Sequence, residues 1–220
     1  MERSGEPFAD RTQAGAELGR ALKKITRESA VVLGIPRGGV VVAWSLALEL
    51  NAQLDIVLSR KIGAPGNPEF ALGAVAEDGG VFVNREYLAR AGADEGYIER
   101  EKERQLAEIR RRREMFRKIC PKTPLKDRVV IVTDDGVATG ATFEAAVWAV
   151  RQEAPRQLVA AIPVGPRDTL TRLARQVDQL VCLRASDSFF ALSQFYLEFP
   201  QIEDEEILRI LDACRQHTPE

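Results

Sequence analysis

The chain has 220 residues, 45% of them hydrophobic and 29% charged, and a formal net charge of −2. That size and balance suit one α/β domain and exclude a disordered chain. The near-neutral charge gives no reason to expect a nucleic-acid partner, and the absence of any run approaching about 18 apolar residues argues against a spanning helix or a membrane role.

Along the chain, residues 10–26 place Ala14, Leu18, Ala21, Leu22 and Ile25 at helical spacing. A short apolar run at 30–35, ended by Pro36, predicts a buried strand. Residues 40–50 predict a helix and 54–58 the next strand. Residues 62–80, rich in Gly and Pro, predict a mobile loop leading into a hairpin (71–76 with 80–83). Residues 94–118 predict a long charged helix. Its four consecutive arginines (Arg110, Arg111, Arg112, Arg113) are balanced by Glu99, Glu101, Glu103, Glu108 and Glu114, so a solvated face laced with i,i+4 pairs is expected. A subunit interface and a phosphate or nucleic-acid contact are the alternatives. The alternation resumes with strand 128–133, helix 141–153, strand 157–163, helix 167–176 and strand 179–183. Repeated strand–helix units with short connections predict a doubly wound parallel sheet with helices on both faces, whose ligands gather outside the C-terminal strand ends. The whole reads as one domain over 1–220. Its core spans about 28–185, an inserted loop, hairpin and helix about 62–120, and a C-terminal hood about 186–220.

The first ten residues are polar and acidic and lack the build of a signal peptide. Cys120, Cys182 and Cys214 are scattered, which fits reduced thiols and a cytoplasmic location. Cys182, in a predicted strand, reads as a small core hydrophobe. His217 is the sole histidine, so most His-dependent triads and any multi-histidine metal site are excluded.

The most informative stretch is VIVTDDGVATGAT, residues 130–142. A buried strand runs into two adjacent carboxylates, then a small-residue loop, then a helix. Loop amides and a helix N-terminus can cradle a phosphate. Thr139 and Thr142 add hydroxyl donors, and ionised Asp134 and Asp135 suit sugar hydroxyls or water around Mg²⁺. A P-loop would need a lysine where Ala141 stands. Two other segments follow predicted strands. Ile35-Pro36-Arg37-Gly38-Gly39 offers paired glycines for close backbone approach and a forked cation, although a plain tight turn would look the same. Arg60-Lys61-Ile62-Gly63-Ala64-Pro65-Gly66 presents two cations, which read either as anion ligands or as surface charges before a turn. The segment 187–199 holds Phe189, Phe190, Phe195, Tyr196 and Phe199, five of the chain's nine Phe and three Tyr. Such a cluster reads either as core or as stacking rings.

The 130–142 run resembles the PRPP-binding motif of type I phosphoribosyltransferases. The R-G-G at 37–39 is similar to the family's pyrophosphate loop, and R-K-x-G-x-P-G at 60–66 looks like the opening of its mobile catalytic loop. The resemblance covers roughly 30–183, apart from the inserted helix at 94–118, and implies attack of a nitrogen acceptor on C1 of PRPP, with Mg²⁺ and loss of pyrophosphate. It implies that Gly136, Val137, Ala138, Thr139, Gly140, Ala141 and Thr142 hold the 5-phosphate, and that Asp134 and Asp135 hold the ribose diol and support the cationic sugar. Mg²⁺ would be bound through PRPP and water, with Asp134 and Asp135 as its candidate protein ligands. Arg37, Gly38, Gly39, Arg60 and Lys61 would hold pyrophosphate, with a strained peptide at Arg37–Gly38. Phe190 and Tyr196 of the hood are candidate acceptor contacts. Two departures stand out: Gly136 replaces a larger aliphatic residue, and Ala138 replaces the aspartate that serves as general base in the hypoxanthine–guanine branch. The acceptor, a base or an amine, therefore stays open. Family members are often homodimers, which implies one here. A non-catalytic sensor of PRPP or nucleotides is the alternative function; too few residues precede the first strand for a winged helix.

Overall fold

A computed structural model describes residues 6–23 and 30–216, so His217 and the end of the predicted first helix lie outside the described residues. In chain order the elements begin with α1 (Arg11–Leu22), β1 (Ala30–Gly34), α2 (Gly38–Leu50) and β2 (Gln53–Ile56). A second group follows: β3 (Ser59–Ala64), β4 (Asn67–Ala76), β5 (Val81–Val83), α3 (Arg85–Ala91) and α4 (Glu95–Phe116). The chain then returns through β6 (Val129–Thr133), α5 (Ala141–Gln152), β7 (Gln157–Pro166), α6 (Arg167–Ala174) and β8 (Gln179–Ser186), and ends in α7 (Asp204–Gln216).

Five strands pair in the order β2-β1-β6-β7-β8, every pair parallel. Strand alternation divides their apolar side chains between two cores. Val31, Leu33, Val130 and Val132 cluster with Phe143, Val147, Leu170 and Leu173, beneath α5 and α6. Val32, Val129, Ile131 and Val159 cluster instead with Leu18, Leu22, Val42 and Leu46 of α1 and α2. This is the doubly wound layering expected from the repeated units. Winding reverses between β1 and β6, where a crevice opens at the strand ends.

The inserted segment differs from expectation. Residues 62–70 are not an open loop: β3 and β4 form an antiparallel hairpin in which Ala64 pairs with Asn67 around Pro65 and Gly66. Proline followed by a glycine at φ 72° suits a two-residue turn. The same residues read as a loop from composition because Gly and Pro mark both. The 71–76 and 81–83 pairing is present as β4 and β5. This small sheet lays Ala71, Ala74 and Phe82 against Ala141, Ala145 and Trp148 of α5. Helix α3, capped by Asn84 accepting from the Glu86 and Tyr87 amides, was not foreseen.

Asp94 caps α4 by accepting from the Tyr97 amide, and Glu108 bonds Arg111 and Arg112, as the charge pattern implied. The Arg111 bond, with help from Arg112, holds the Glu108 carboxyl down at about 2. Yet α4 is more than a solvated rod. Ile109 packs with Ile62, Leu72 and Val75 of the small sheet, and Phe116 packs with Ile207 and Leu211 of α7. The hood is tied to the chain's start: Phe8 N–H donates to Phe195 O (2.8 Å) and Leu197 N–H to Phe8 O (2.8 Å). Among the described residues, no helix is long and apolar enough to cross a membrane.

Candidate active site

Gly34 and Thr133 are paired at the ends of β1 and β6, so the loops that follow them meet at the point where winding reverses. Only glycine fits on the β1 side. A Cβ on Gly39 would lie 2.8 Å from Asp134 Cα, and one on Gly38 would lie 2.0 Å from Asp135 Oδ2 and 2.9 Å from Arg11 Nε. We expect Gly38→Ala to fold but to lower affinity for the ligand of these loops about tenfold or more, because the displaced carboxylate must give up a charged hydrogen bond; calorimetric titration would measure it, and unchanged affinity would refute this contact. The unusual peptide lies one residue upstream of expectation: Pro36–Arg37 is cis. Arg37 extends to Glu203, at 3.0 Å.

The two acids are not equivalent. Asp135 is buried, and its Oδ2 accepts from Arg11 Nε at 2.8 Å. Arg11 also donates to Pro200 O (2.8 Å) and lies over the Phe199 ring, 3.7 Å from its centroid. Tyr196 Oη donates to the Asp135 carbonyl at 2.5 Å. Asp134 is half-buried, and its Oδ1 accepts the Asp135 amide at 2.9 Å. Burial, then the charge of Asp135, pushes the Asp134 carboxyl well above its ordinary range. Burial also raises Asp135, against the pull of Arg11. Two carboxyls with raised proton affinity, side by side in a crevice, are characteristic of a functional site.

Sequence reading missed Arg11. A signal was present: Arg11 falls on the buried stripe of α1 with Ala14, Leu18 and Leu22, and a cation on such a stripe calls for a buried partner.

After the acids, Val137 N–H donates to Val164 O of β7 at 2.9 Å. That amide is engaged and drops out of the expected phosphate donors. Downstream, α6 anchors the loop's carbonyls: Thr169 Oγ1 donates to Ala138 O (2.9 Å), and Arg172 to Thr139 O. Because a trans peptide sets N–H opposite C=O, the Thr139 and Gly140 amides face away from α6. Gly140 takes φ 77° and leads into α5, whose first-turn amides at Ala141, Thr142 and Phe143 precede the first bond that closes on Gly140 O, from Glu144 N–H. Among the described residues, the amides here that no backbone carbonyl engages run from Thr139 to Phe143, and the Ala141 N–H donates to Thr139 Oγ1 at 3.4 Å. Gly136 has a reason for its small size: a Cβ there would sit 2.2 Å from Leu192 Cδ2 and 3.1 Å from Val164 O, at φ 155°. The hood occupies the space a larger aliphatic side chain would fill.

The two β3 cations part company, as strand neighbours must. Lys61 reaches Glu69 at 2.7 Å, and Glu69 Oε2 accepts from Thr139 Oγ1 at 3.2 Å. The Lys61 hydrogen bond is the main reason the Glu69 carboxyl sits below its ordinary range. Arg60 turns instead to α4, donating to Gln105 Oε1 at 3.1 Å. Of the two rings proposed for an acceptor, Tyr196 is enclosed by Phe8 and Phe199 (centroids 5.4 and 4.9 Å) and 5% exposed, so it is a prop beneath Asp135 and not an open stacking face. Phe190 is 90% exposed.

Comparison with known proteins shows the family. Residues 7–199 match the model of the phosphoribosyl transferase domain. A Thermus thermophilus protein of known crystal structure, TT1426, is 47% identical, with a TM-score of 0.89 over 94% of this chain and 98% of its own. Two Mycobacterium tuberculosis proteins, provisionally named phosphoribosyl transferases, are each 39% identical over 209 residues, which is 95% of this chain and 47% of theirs. The chain therefore spans about half the length of these curated relatives. From the strand–acid–acid–loop–helix site to the match across 7–199, the chain belongs to the phosphoribosyl transferase domain family.

Proposed function

We propose that the chain transfers the 5-phosphoribosyl group of PRPP to a nitrogen acceptor, releasing pyrophosphate. The observation that carries this reading is the pairing of a phosphate cradle, Thr139 to Phe143, with two adjacent carboxylates at the crevice where β1 and β6 diverge. The 5-phosphate takes the cradle and the Thr139 and Thr142 hydroxyls, displacing Glu69 from Thr139. Asp134, which no cation clamps, accepts the ribose hydroxyls, while Asp135, held by Arg11, contributes field and fixes the loop. Negative charge held beside C1 stabilises the oxocarbenium-like sugar more than the ground state. Lys61, Arg37 and the Gly38–Gly39 backbone face the departing pyrophosphate.

The donor set fits Mg²⁺. Among the described residues no three candidate ligand side chains cluster, and an ion that keeps several waters and binds substrate phosphates needs only one or two carboxylates. Asp134 would hold it, through water. When bound, the ion neutralises charge on the pyrophosphate. At Ala138 no side chain can take a proton from the acceptor, so the nitrogen attacks with its own lone pair and its proton passes to water or to the departing pyrophosphate; a base and an amine both meet that requirement.

The test is pyrophosphate release from PRPP and Mg²⁺ with pooled nucleobases and small amines, with products identified by mass spectrometry. A base-dependent ribonucleotide is expected. PRPP binding without turnover would favour a sensory role instead. Asp135→Asn should weaken PRPP binding or turnover by about 1–3 kcal/mol, the scale of a charged hydrogen bond; unaltered kinetics in that variant would remove Asp135 from the site.

A further inference from the structure

Behind the loop that follows the acids, α6 presents polar side chains that take no part in the proposed transfer itself. Thr169 and Arg172 stand three residues apart and so share a face of α6, and Gln176 follows just beyond its end. That face meets the loop closely: a Cβ at Gly140 would lie 2.7 Å from Thr169 Cγ2 and 3.3 Å from Arg172 Nη2. Glu144, in the first turn of α5, completes the group. Its side chain is 2% exposed; its Oε2 accepts from Arg172 Nη1 at 2.6 Å and its Oε1 from Gln176 Nε2 at 2.6 Å. A carboxylate in a first turn suits the helix dipole. Burying it so far is nevertheless costly, and an apolar pair of similar volume would be no less stable there. What the ion pair adds is direction. A guanidinium is planar with its donors in a fixed fork, so with Nη1 held by Glu144 the other arm, Nη2, is aimed at Thr139 O, to which it donates.

Thr139 O and the Gly140 N–H belong to one peptide unit and point to opposite sides of it. A cation on the carbonyl therefore fixes the direction of that N–H and polarises it into a stronger donor. Thr169 Oγ1, donating to Ala138 O at 2.9 Å, orients the Thr139 N–H in the same way without a charge. We propose that Arg172, held by buried Glu144, is a positioning residue: through the Thr139 carbonyl it aims the Gly140 amide at a phosphate on the opposite side of the loop. This rests on the phosphate reading of the loop given above. Arg172 itself stays behind the loop, apart from the groups assigned to the ligand.

Ribose 5-phosphate and PRPP should be titrated calorimetrically into the wild type, Arg172→Met and Arg172→Met/Glu144→Gln, with melting temperatures recorded for each. Removing Arg172 alone strands a buried carboxylate and is expected to lower the melting temperature. Adding Glu144→Gln removes that charge, keeps an oxygen for Gln176 and should restore most of the loss. Affinity should not follow: ribose 5-phosphate is expected to bind about tenfold more weakly in both variants. In ¹H–¹⁵N spectra the Gly140 amide proton should move downfield when ribose 5-phosphate binds the wild type, and markedly less in the double variant. Affinity that recovers together with the melting temperature, or an unchanged Gly140 response, would reduce Arg172 to a structural tie and overturn the proposal. Should PRPP fail to bind the wild type while ribose 5-phosphate binding depends on Arg172, the phosphoribosyl-transfer reading fails and this positioning role stands. A wild type that binds neither compound would overturn both.

Discussion

Arg11→Met is expected to cost about 3–5 kcal/mol of folding stability at neutral pH, the range for stripping a buried charge of its partner. Arg11 and Asp135 are both buried and meet at 2.8 Å, and the methionine would leave a buried carboxylate without its cation. The pH dependence has a definite sign. Without Arg11 the folded-state pKa of Asp135, already raised by burial, rises further above its unfolded value. The folded variant therefore holds a proton that the unfolded chain releases, and its deficit grows as pH rises from the acid range to neutrality. At low pH only the lost Pro200 bond and the Phe199 contact remain. Denaturant melts across pH would measure this, and Arg11→Met/Asp135→Asn should lose markedly less than the two single variants summed. A deficit independent of pH, with additive singles, would mean that Arg11 serves only as packing.

Asp134→Asn is expected to move stability and activity in opposite directions. The wild-type carboxyl titrates well above its ordinary range because of burial and then the charge of Asp135. A folded pKa above the unfolded one contributes stability that is present in acid and lost as pH rises through the folded value, so near neutrality the ionised group is a liability. Asparagine keeps an oxygen for the Asp135 amide and removes the charge. The melting temperature should therefore rise at neutral pH, and the gain should shrink as pH falls. Turnover of PRPP should drop about tenfold to a hundredfold, the equivalent of one charged hydrogen bond of roughly 1.5–3 kcal/mol. Strain or like-charge repulsion retained at a cost in stability is what a working site looks like. A variant that is less stable at neutral pH, or as active as the wild type, would contradict the assignment.

Much of the fold was legible residue by residue. The five apolar strands and the helices between them stand close to their expected places because periodicity and turn residues are local properties. The local layout of the run 130–142 was legible for the same reason: strand, acids, loop and helix start follow one another in a single stretch of backbone. The 62–70 segment was misread because a Pro-Gly turn and an open loop share a composition; pairing with β4 decides between them. Val137 was assigned to phosphate because its amide looked free, and only β7 supplies the carbonyl that engages it.

What the sequence determined by itself, then, is the doubly wound order of elements and the placing of a small-residue loop and a helix start just after two adjacent carboxylates, since both follow from short-range backbone preferences. Which acid is clamped by a cation and which is not was decided by tertiary structure alone. Arg11 lies 124 residues from Asp135, and Tyr196 lies 61 from it. The parting of Arg60 from Lys61 likewise depended on α4 and the start of β4 being brought to opposite sides of one strand. Charge and burial of a side chain are set by what folding brings against it, and a sequence pattern read locally carries no term for that.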